Sequence, residues 1–291
     1  MKKDRIDGEK KKSPGKALKV LARVAIVAFW LGLWQIVSML VNNPVVLVGP
    51  YETCRALWEL AREGEFYLSV GSSVLRIVSG FLLGSLLGVA FAVLSYLRGW
   101  FRAFIRPFVS AVKAVPVVSF VILILVGFGS RVLSLVISAT VVFPLVYIQT
   151  LEGLDGVDAR LLEVASVFGM KKSKRVRLIY LPALRRHWTA ALKTAVGMSW
   201  KSGAAAEVIG QPLHSIGNEM YRSKIFLETS HVLAWTVVIV LLSFCMEKLF
   251  LWLLRRLIPG RAPGNASEKK ESEAGSDPVG PSGEGRHETI G

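Results

Sequence analysis

The apolar residues of this chain are not interleaved with charge. They are gathered into blocks about as long as a bilayer is thick. A helix crossing ~30 Å of hydrocarbon at ~1.5 Å per residue needs ~20 apolar residues. Blocks at roughly 20–41, 74–97, 107–128, 132–151, 188–209 and 230–254 meet or approach that length. The second, fourth and sixth are the clearest. The third contains Lys113 and Pro116, which points to a helix that starts at the surface and kinks. The fifth is weakened by Lys193, Lys201 and Glu207. With 52% apolar residues and a mean hydropathy of +0.48, the predicted fold is all-α, a polytopic membrane bundle of about six transmembrane helices.

A net charge of +15 would suit nucleic acid or a membrane surface. No soluble segment is long enough to make a basic nucleic-acid-binding domain, so contact with membrane lipids is expected and nucleic acid is not. Lys2 to Lys19, Arg98, Arg102, Arg106, Arg160 to Arg186 and the stretch from Arg255 onward would share one side. The other side would hold Arg55, Arg62, Arg131, Arg222 and Lys224, with Arg76 at a span edge. The positive-inside rule then places both termini in the cytoplasm of a multi-pass inner-membrane protein. The first apolar block is too long for a signal-peptide core, and Asn42-Asn43-Pro44 is no cleavage site, so it is read as a retained span. The organisation expected is a basic segment 1–19, a transmembrane domain 20–258 and a tail 259–291. The tail is too rich in Gly, Ser, Pro and Glu to offset ordering entropy.

Between the first two spans, Ala56, Leu57, Leu60 and Ala61 recur at helical spacing among charged residues. They predict a short amphipathic helix, lying at the interface or serving as a solvent-facing linker. The two cysteines, Cys54 and Cys245, form no CxxC pair, and Cys245 is expected to be a small buried hydrophobe. His187, His214, His231 and His287 are too scattered for a metal site. No phosphate-binding loop, HExxH or GxSxG is present; Gly15-Lys16 lacks the earlier glycine and a preceding strand. The chain is therefore not expected to be an enzyme or to bind a cofactor.

The most informative loop runs from Glu152 to His187. Asp158 is suited to cap a helix with Leu161, Leu162, Ala165 and Phe168 on one side. Gly169 sits where that helix would end left-handed. Ser173 would cap a second helix through Val176, Ile179 and Tyr180, broken after Pro182. By periodicity alone, the apolar face either packs on the protein's own spans or docks a partner.

The residues resemble a known pattern. Glu163-Val164-Ala165, then Gly169, then Ile179-Tyr180-Leu181-Pro182 is similar to the signature of ATP-binding-cassette (ABC) importer permeases, E-A-A, three residues, G, nine residues, I-x-L-P. Val164 replaces the central alanine. Ser73-Val74-Leu75-Arg76 with Gly80-Phe81, Gly127-Phe128-Gly129, Ala205-Ala206-Glu207 and Ser215-Ile216-Gly217 resemble motifs of the nitrate, sulfonate, taurine and bicarbonate branch. The Trp-x-Pro common in that branch is missing after Pro116.

This resemblance implies a type I importer permease fold, with Leu161, Glu163, Val164, Ala165, Phe168, Gly169, Ile179, Leu181 and Pro182 forming a coupling loop on a separate ATPase subunit. That subunit would use ATP and Mg. A substrate-binding protein outside the membrane and a second permease copy, as a homodimer, are the other implied partners, and the implied cargo is a small solute, either a nitrate-, sulfonate- or taurine-like anion or a vitamin-precursor heterocycle. The basic residues Arg160, Lys171, Lys172, Lys174, Arg175 and Arg177 would steer an acidic partner or simply anchor the loop.

Charge inside a membrane is costly and usually faces a cavity or a partner. Lys201 would attract an anionic substrate or pair within the bundle. Glu207 would contact a binding protein or close an outer gate. Ser119, Thr194 and Ser202 are further candidates for lining the pathway. An ion-coupled secondary transporter would also explain six spans and buried charge, but not the loop, and no inverted repeat is visible. A membrane enzyme would need a clustered catalytic set, which the sequence lacks.

Overall fold

The computed structural model describes residues 16–257. The tail 259–291 and most of the segment 1–19 lie outside the described residues. Eleven α-helices follow one another without a strand among the described residues. They are α1 Lys16–Val41, α2 Pro50–Leu60, α3 Gly64–Leu97, α4 Gly99–Ala114, α5 Val117–Phe128 and α6 Leu133–Asp155. Then come α7 Ala159–Val167, α8 Lys172–Arg175, a π-helical turn Val176–Tyr180, α9 Leu181–Gly210, α10 Ile216–Ile225 and α11 Thr229–Leu257.

The bundle is built on α3, α6 and α9. Gly80, Gly84 and Gly88 recur every fourth residue, which puts them in one row on α3 facing α6. A Cβ at Gly84 would stand 2.5 Å from the Ala139 carbonyl oxygen, and one at Gly88 would stand 3.0 Å from that of Phe143. A Cβ at Gly80 would collide with the Leu135 carbonyl. Lipid gives helices no hydrophobic reason to associate, so close backbone approach supplies the packing instead. Above this seam Trp200 is buried with Ile77, Phe81, Val142, Val146, Ala195 and Val196. Trp188 Nε1 donates to Thr150 Oγ1 at 2.9 Å and ties α9 to α6.

Four helices are long and apolar enough to cross a membrane: α1, α3, α6 and α11. The expected third span, 107–128, is two helices bent by 100° at Val115-Pro116. Pro116 has no N–H to give and holds Val115 extended, at φ −76° and ψ 130°, so α4 cannot continue. Counting the bent pair as one span gives five. The 30-residue α9 has the length for a sixth and is more polar.

The expected amphipathic helix is α2, and its apolar side is covered. Ala56 and Leu60 pack with Ile216, Ala234, Trp235 and Val238 of α10 and α11. Cys245 is exposed on α11 rather than buried, because its side of the helix has no neighbour among the described residues. The apolar stretch of α1 is equally bare. It is held through Trp34 Nε1 donating to the Val48 carbonyl at 3.1 Å and Ser38 Oγ donating to the Leu47 carbonyl at 3.2 Å.

Candidate functional site

Two regions concentrate the features singled out in the sequence: an elbow at one end of the bundle and a buried polar junction at the other. At the elbow, Asp158 Oδ1 accepts the Arg160 N–H at 2.9 Å and caps α7. The helix stops at Gly169, whose φ is +59°, a region open to glycine without a Cβ penalty. The Gly169 N–H donates to the Ser166 carbonyl at 3.0 Å, and the Met170 N–H donates to the Ala165 carbonyl at 2.9 Å. This double closure is a Schellman motif, and it fixes the direction in which the chain leaves the helix.

Beyond the turn, Lys171 occupies the cap position expected of Ser173, which lies inside α8. The expected break at Pro182 is absent. The Leu181 N–H reaches back to the Val176 carbonyl, and this wider π turn lets the helix run on through a proline that has no N–H. The elbow thus joins α9 rigidly. Tyr180 is fixed against α3 by a 3.3 Å hydrogen bond between its hydroxyl and that of Tyr96.

The elbow residues fall on different sides. Ala165 is buried, and Leu162, Ile179 and Leu181 are half-buried. Leu161, Glu163, Val164 and Pro182 are exposed, as are Val167 at 85% and Phe168 at 80%. Leu161 and Phe168 therefore do not share the covered side of Ala165. Nothing among the described residues covers the patch of Leu161, Val164, Val167 and Phe168. Val167 was missed in the sequence, although its spacing from Leu161 and Val164 points to the same face.

At the opposite end, Glu207 of α9 is completely buried. Its Oε2 accepts the Ser73 hydroxyl at 2.6 Å and lies 3.4 Å from the Gly217 N–H, which donates to it. Ser73 Oγ also accepts the Ile216 N–H at 2.9 Å, and Ser215 Oγ accepts the Asn218 N–H at 3.1 Å. The free N–H groups that begin α10 are thus met by side chains from three segments. Arg76 Nη2 donates to the Leu213 carbonyl at 3.1 Å beside them. The burial of Glu207 leaves it no surface for a binding protein, and here it joins helices instead of lining a path. Ser73, Arg76 and Ser215 were visible as motif residues, but only the fold reveals that Ser73 bonds Glu207 and that Arg76 and Ser215 bond the segment around it.

The other pathway candidates are dispersed. Ser202 is buried and donates to the Met198 carbonyl at 2.6 Å. Ser119 is exposed on α5, and Thr194 and Lys201 are exposed along one face of α9. Among the described residues no group of His, Cys, Asp and Glu is arranged to hold a metal.

An all-helical bundle with apolar outer faces and one projecting helical elbow defines a polytopic membrane protein. Residues 80–259 match the family of binding-protein-dependent transport system inner membrane components, and the chain belongs to that family. It is similar to SsuC of Bacillus subtilis (strain 168), named for aliphatic sulfonate transport, with 27% identity covering 86% of this chain and 92% of SsuC. It is similar to the taurine transport system permease protein TauC of Escherichia coli (strain K12), with 23% identity covering 78% and 84%. The bicarbonate transport system permease protein CmpB of Synechococcus elongatus is 25% identical, with 67% of this chain and 70% of CmpB covered. The chain is accordingly a multi-pass permease subunit of an ABC importer.

Proposed function

We propose that this permease passes a small anionic solute across the inner membrane, driven by a separate ATPase that grips the elbow. The observation that carries the reading is the patch of Leu161, Val164, Val167 and Phe168, left exposed on a stiff turn that continues into α9. A helix end fixed at Gly169 transmits a rigid-body push that a loose loop would absorb. Arg160, Lys171, Lys172, Lys174, Arg175 and Arg177 flank it in the sequence and suit an acidic partner groove. ATP and Mg belong to that partner. A second copy of the permease completes the path, and a binding protein delivers the solute from outside. Both termini then lie in the cytoplasm, on the elbow side, where Arg98, Arg102 and Arg106 also gather.

The anionic cargo is supported by Lys201 and by the sulfonate, taurine and bicarbonate named for the relatives. Gly169→Pro tests the coupling. It should leave the spans inserted while ATP hydrolysis no longer drives uptake; coupled transport at the normal rate would overturn the docking role.

A further inference from the structure

The bend between α4 and α5 exposes a charge that the functional reading above does not use. Lys113 stands in the last turn of α4, whose first turn is fixed to the elbow end by the Arg102–Asp155 ion pair at 2.9 Å. From Gly99 to Lys113 the helix axis rises roughly 21 Å at ~1.5 Å per residue, and Ile105 and Val109 pack on Tyr147 and Leu151, so α4 runs along α6 away from the elbow end. Thr140 of α6 lines the same cavity, well inside a helix that runs the full depth of the bundle. The two placements agree on depth.

This cavity holds about 230 Å³ and is walled by Lys113, Phe120, Thr140, Val141, Leu145 and Met198, among others. It is smaller than the ~300–1,000 Å³ of pockets that take drug-sized ligands. Met198 carries the argument to α9. It is exposed on the stripe that also presents Thr194 and Lys201, and Lys201 lies one turn further along the same face. Lys113 therefore stands in the cavity wall, and Lys201 follows one turn beyond the wall residue Met198 on the same exposed stripe of α9.

Neither has an ionic partner among the described residues, whose ion pairs all involve other cations. The carboxylate nearest in sequence to Lys201 is Glu207, which is turned inward to Ser73 and Gly217. The position of Lys113 at the end of α4 complements the helix dipole and makes the charge tolerable. It does not account for Lys201. An unneutralised Lys113 in one wall with the Thr140 hydroxyl and apolar side chains, and a second unneutralised ammonium one turn along α9 from Met198, suit a small molecule with an anionic head and a short apolar body.

We propose that Lys113 and Lys201, with Thr140, form an anion-recognition site at the α4–α5 bend. This rests on the import reading and adds to it the residue and the cavity that would select the cargo.

The test reads local anion attraction directly, with no need to know the natural cargo. Cys54 and Cys245 are replaced by Ser, and Met198→Cys is introduced as the single thiol of the permease, followed on that subunit within the full transporter in membrane vesicles. Its labelling rates with an anionic ethylsulfonate and a cationic trimethylammonium methanethiosulfonate are compared. The anionic reagent should react faster. Lys113→Gln or Lys201→Gln should lower the anionic-to-cationic ratio on the order of tenfold, and Lys113→Arg should keep it. A ratio unmoved by both Gln variants, or a thiol that neither reagent reaches, overturns the site. Mg-ATP with vanadate should change both absolute rates. If it does not while the ratio behaves as expected, the import reading fails and the anion site stands; the reverse pattern removes the site alone.

Discussion

The Ser73 hydroxyl and the Glu207 carboxylate meet at 2.6 Å across two helices that are 134 residues apart in sequence. The same serine oxygen accepts the Ile216 N–H, so one small side chain closes α3, α9 and α10 at a single point. A carboxylate buried this completely is retained only where donors meet it. Here they are the Ser73 hydroxyl and the Gly217 N–H, both on Oε2. The junction fixes one end of α9, and the elbow is continuous with the other. One continuous helix therefore joins the elbow to the α10 region.

Removal of that hydroxyl should be costly. Ser73→Ala leaves the Ile216 N–H without its acceptor and takes the short donor from Glu207. The expected loss is about 1–3 kcal/mol of bundle stability. Thr236→Ala, exposed on α11 and bonded only to the Val232 carbonyl of its own helix, should be much milder. Thermal unfolding of the two variants in the same detergent measures the difference. Equal midpoints would mean that the junction is not structural.

The α3–α6 seam gives a second expectation. Gly84→Val adds bulk where even a Cβ stands 2.5 Å from the Ala139 carbonyl oxygen. The helices must separate, at a cost of about 1–3 kcal/mol or more, because backbone cannot give way as a flexible side chain can. Gly71→Val, on the same helix with open space around it, is the control. Gel filtration should show the first variant aggregated or poorly produced and the second monodisperse.

How much of this the sequence discloses depends on the range of the interaction. The apolar blocks of α3, α6 and α11 are legible because burial in lipid demands an uninterrupted run. Asp158 and Gly169 are legible because caps act within a few residues. The row of Gly80, Gly84 and Gly88 stands plainly in the chain, yet its partner surface belongs to α6 and has no local sign. The 100° bend follows from Pro116, but its angle comes from how α5 packs on α6 and α9. Pro182 misleads because a π turn, set by tertiary packing, takes up the missing N–H. Glu207 reads as a contact for a binding protein or as part of an outer gate until the fold supplies Ser73 and Gly217.

Asp158→Ala should act locally. The Arg160 N–H loses its acceptor, and α7 frays at its first turn, at a cost of about 1 kcal/mol. That is about a fivefold gain in the open population. Hydrogen exchange should therefore quicken about fivefold in the first turn of α7 and stay unchanged in α6. An unaltered rate in α7 would show that the cap contributes nothing.

The exposed elbow patch allows stability and function to be separated in one protein. Val167 and Phe168 are 85% and 80% exposed, so they give little to the fold of the isolated permease. A Val167→Ser, Phe168→Ser double variant should unfold within about 0.5 kcal/mol of the parent, as solvent-facing changes usually do. If the ATPase grips this patch, the same variant should lose copurification with it. Apolar residues buried at the centre of an interface typically cost more than 1 kcal/mol each when truncated. Retention of the ATPase with an unchanged fold would mean that the patch is bare for another reason. Loss of both would mean that the two side chains pack within the permease, against the exposure seen here. Only an intact fold with a lost partner fits a docking surface.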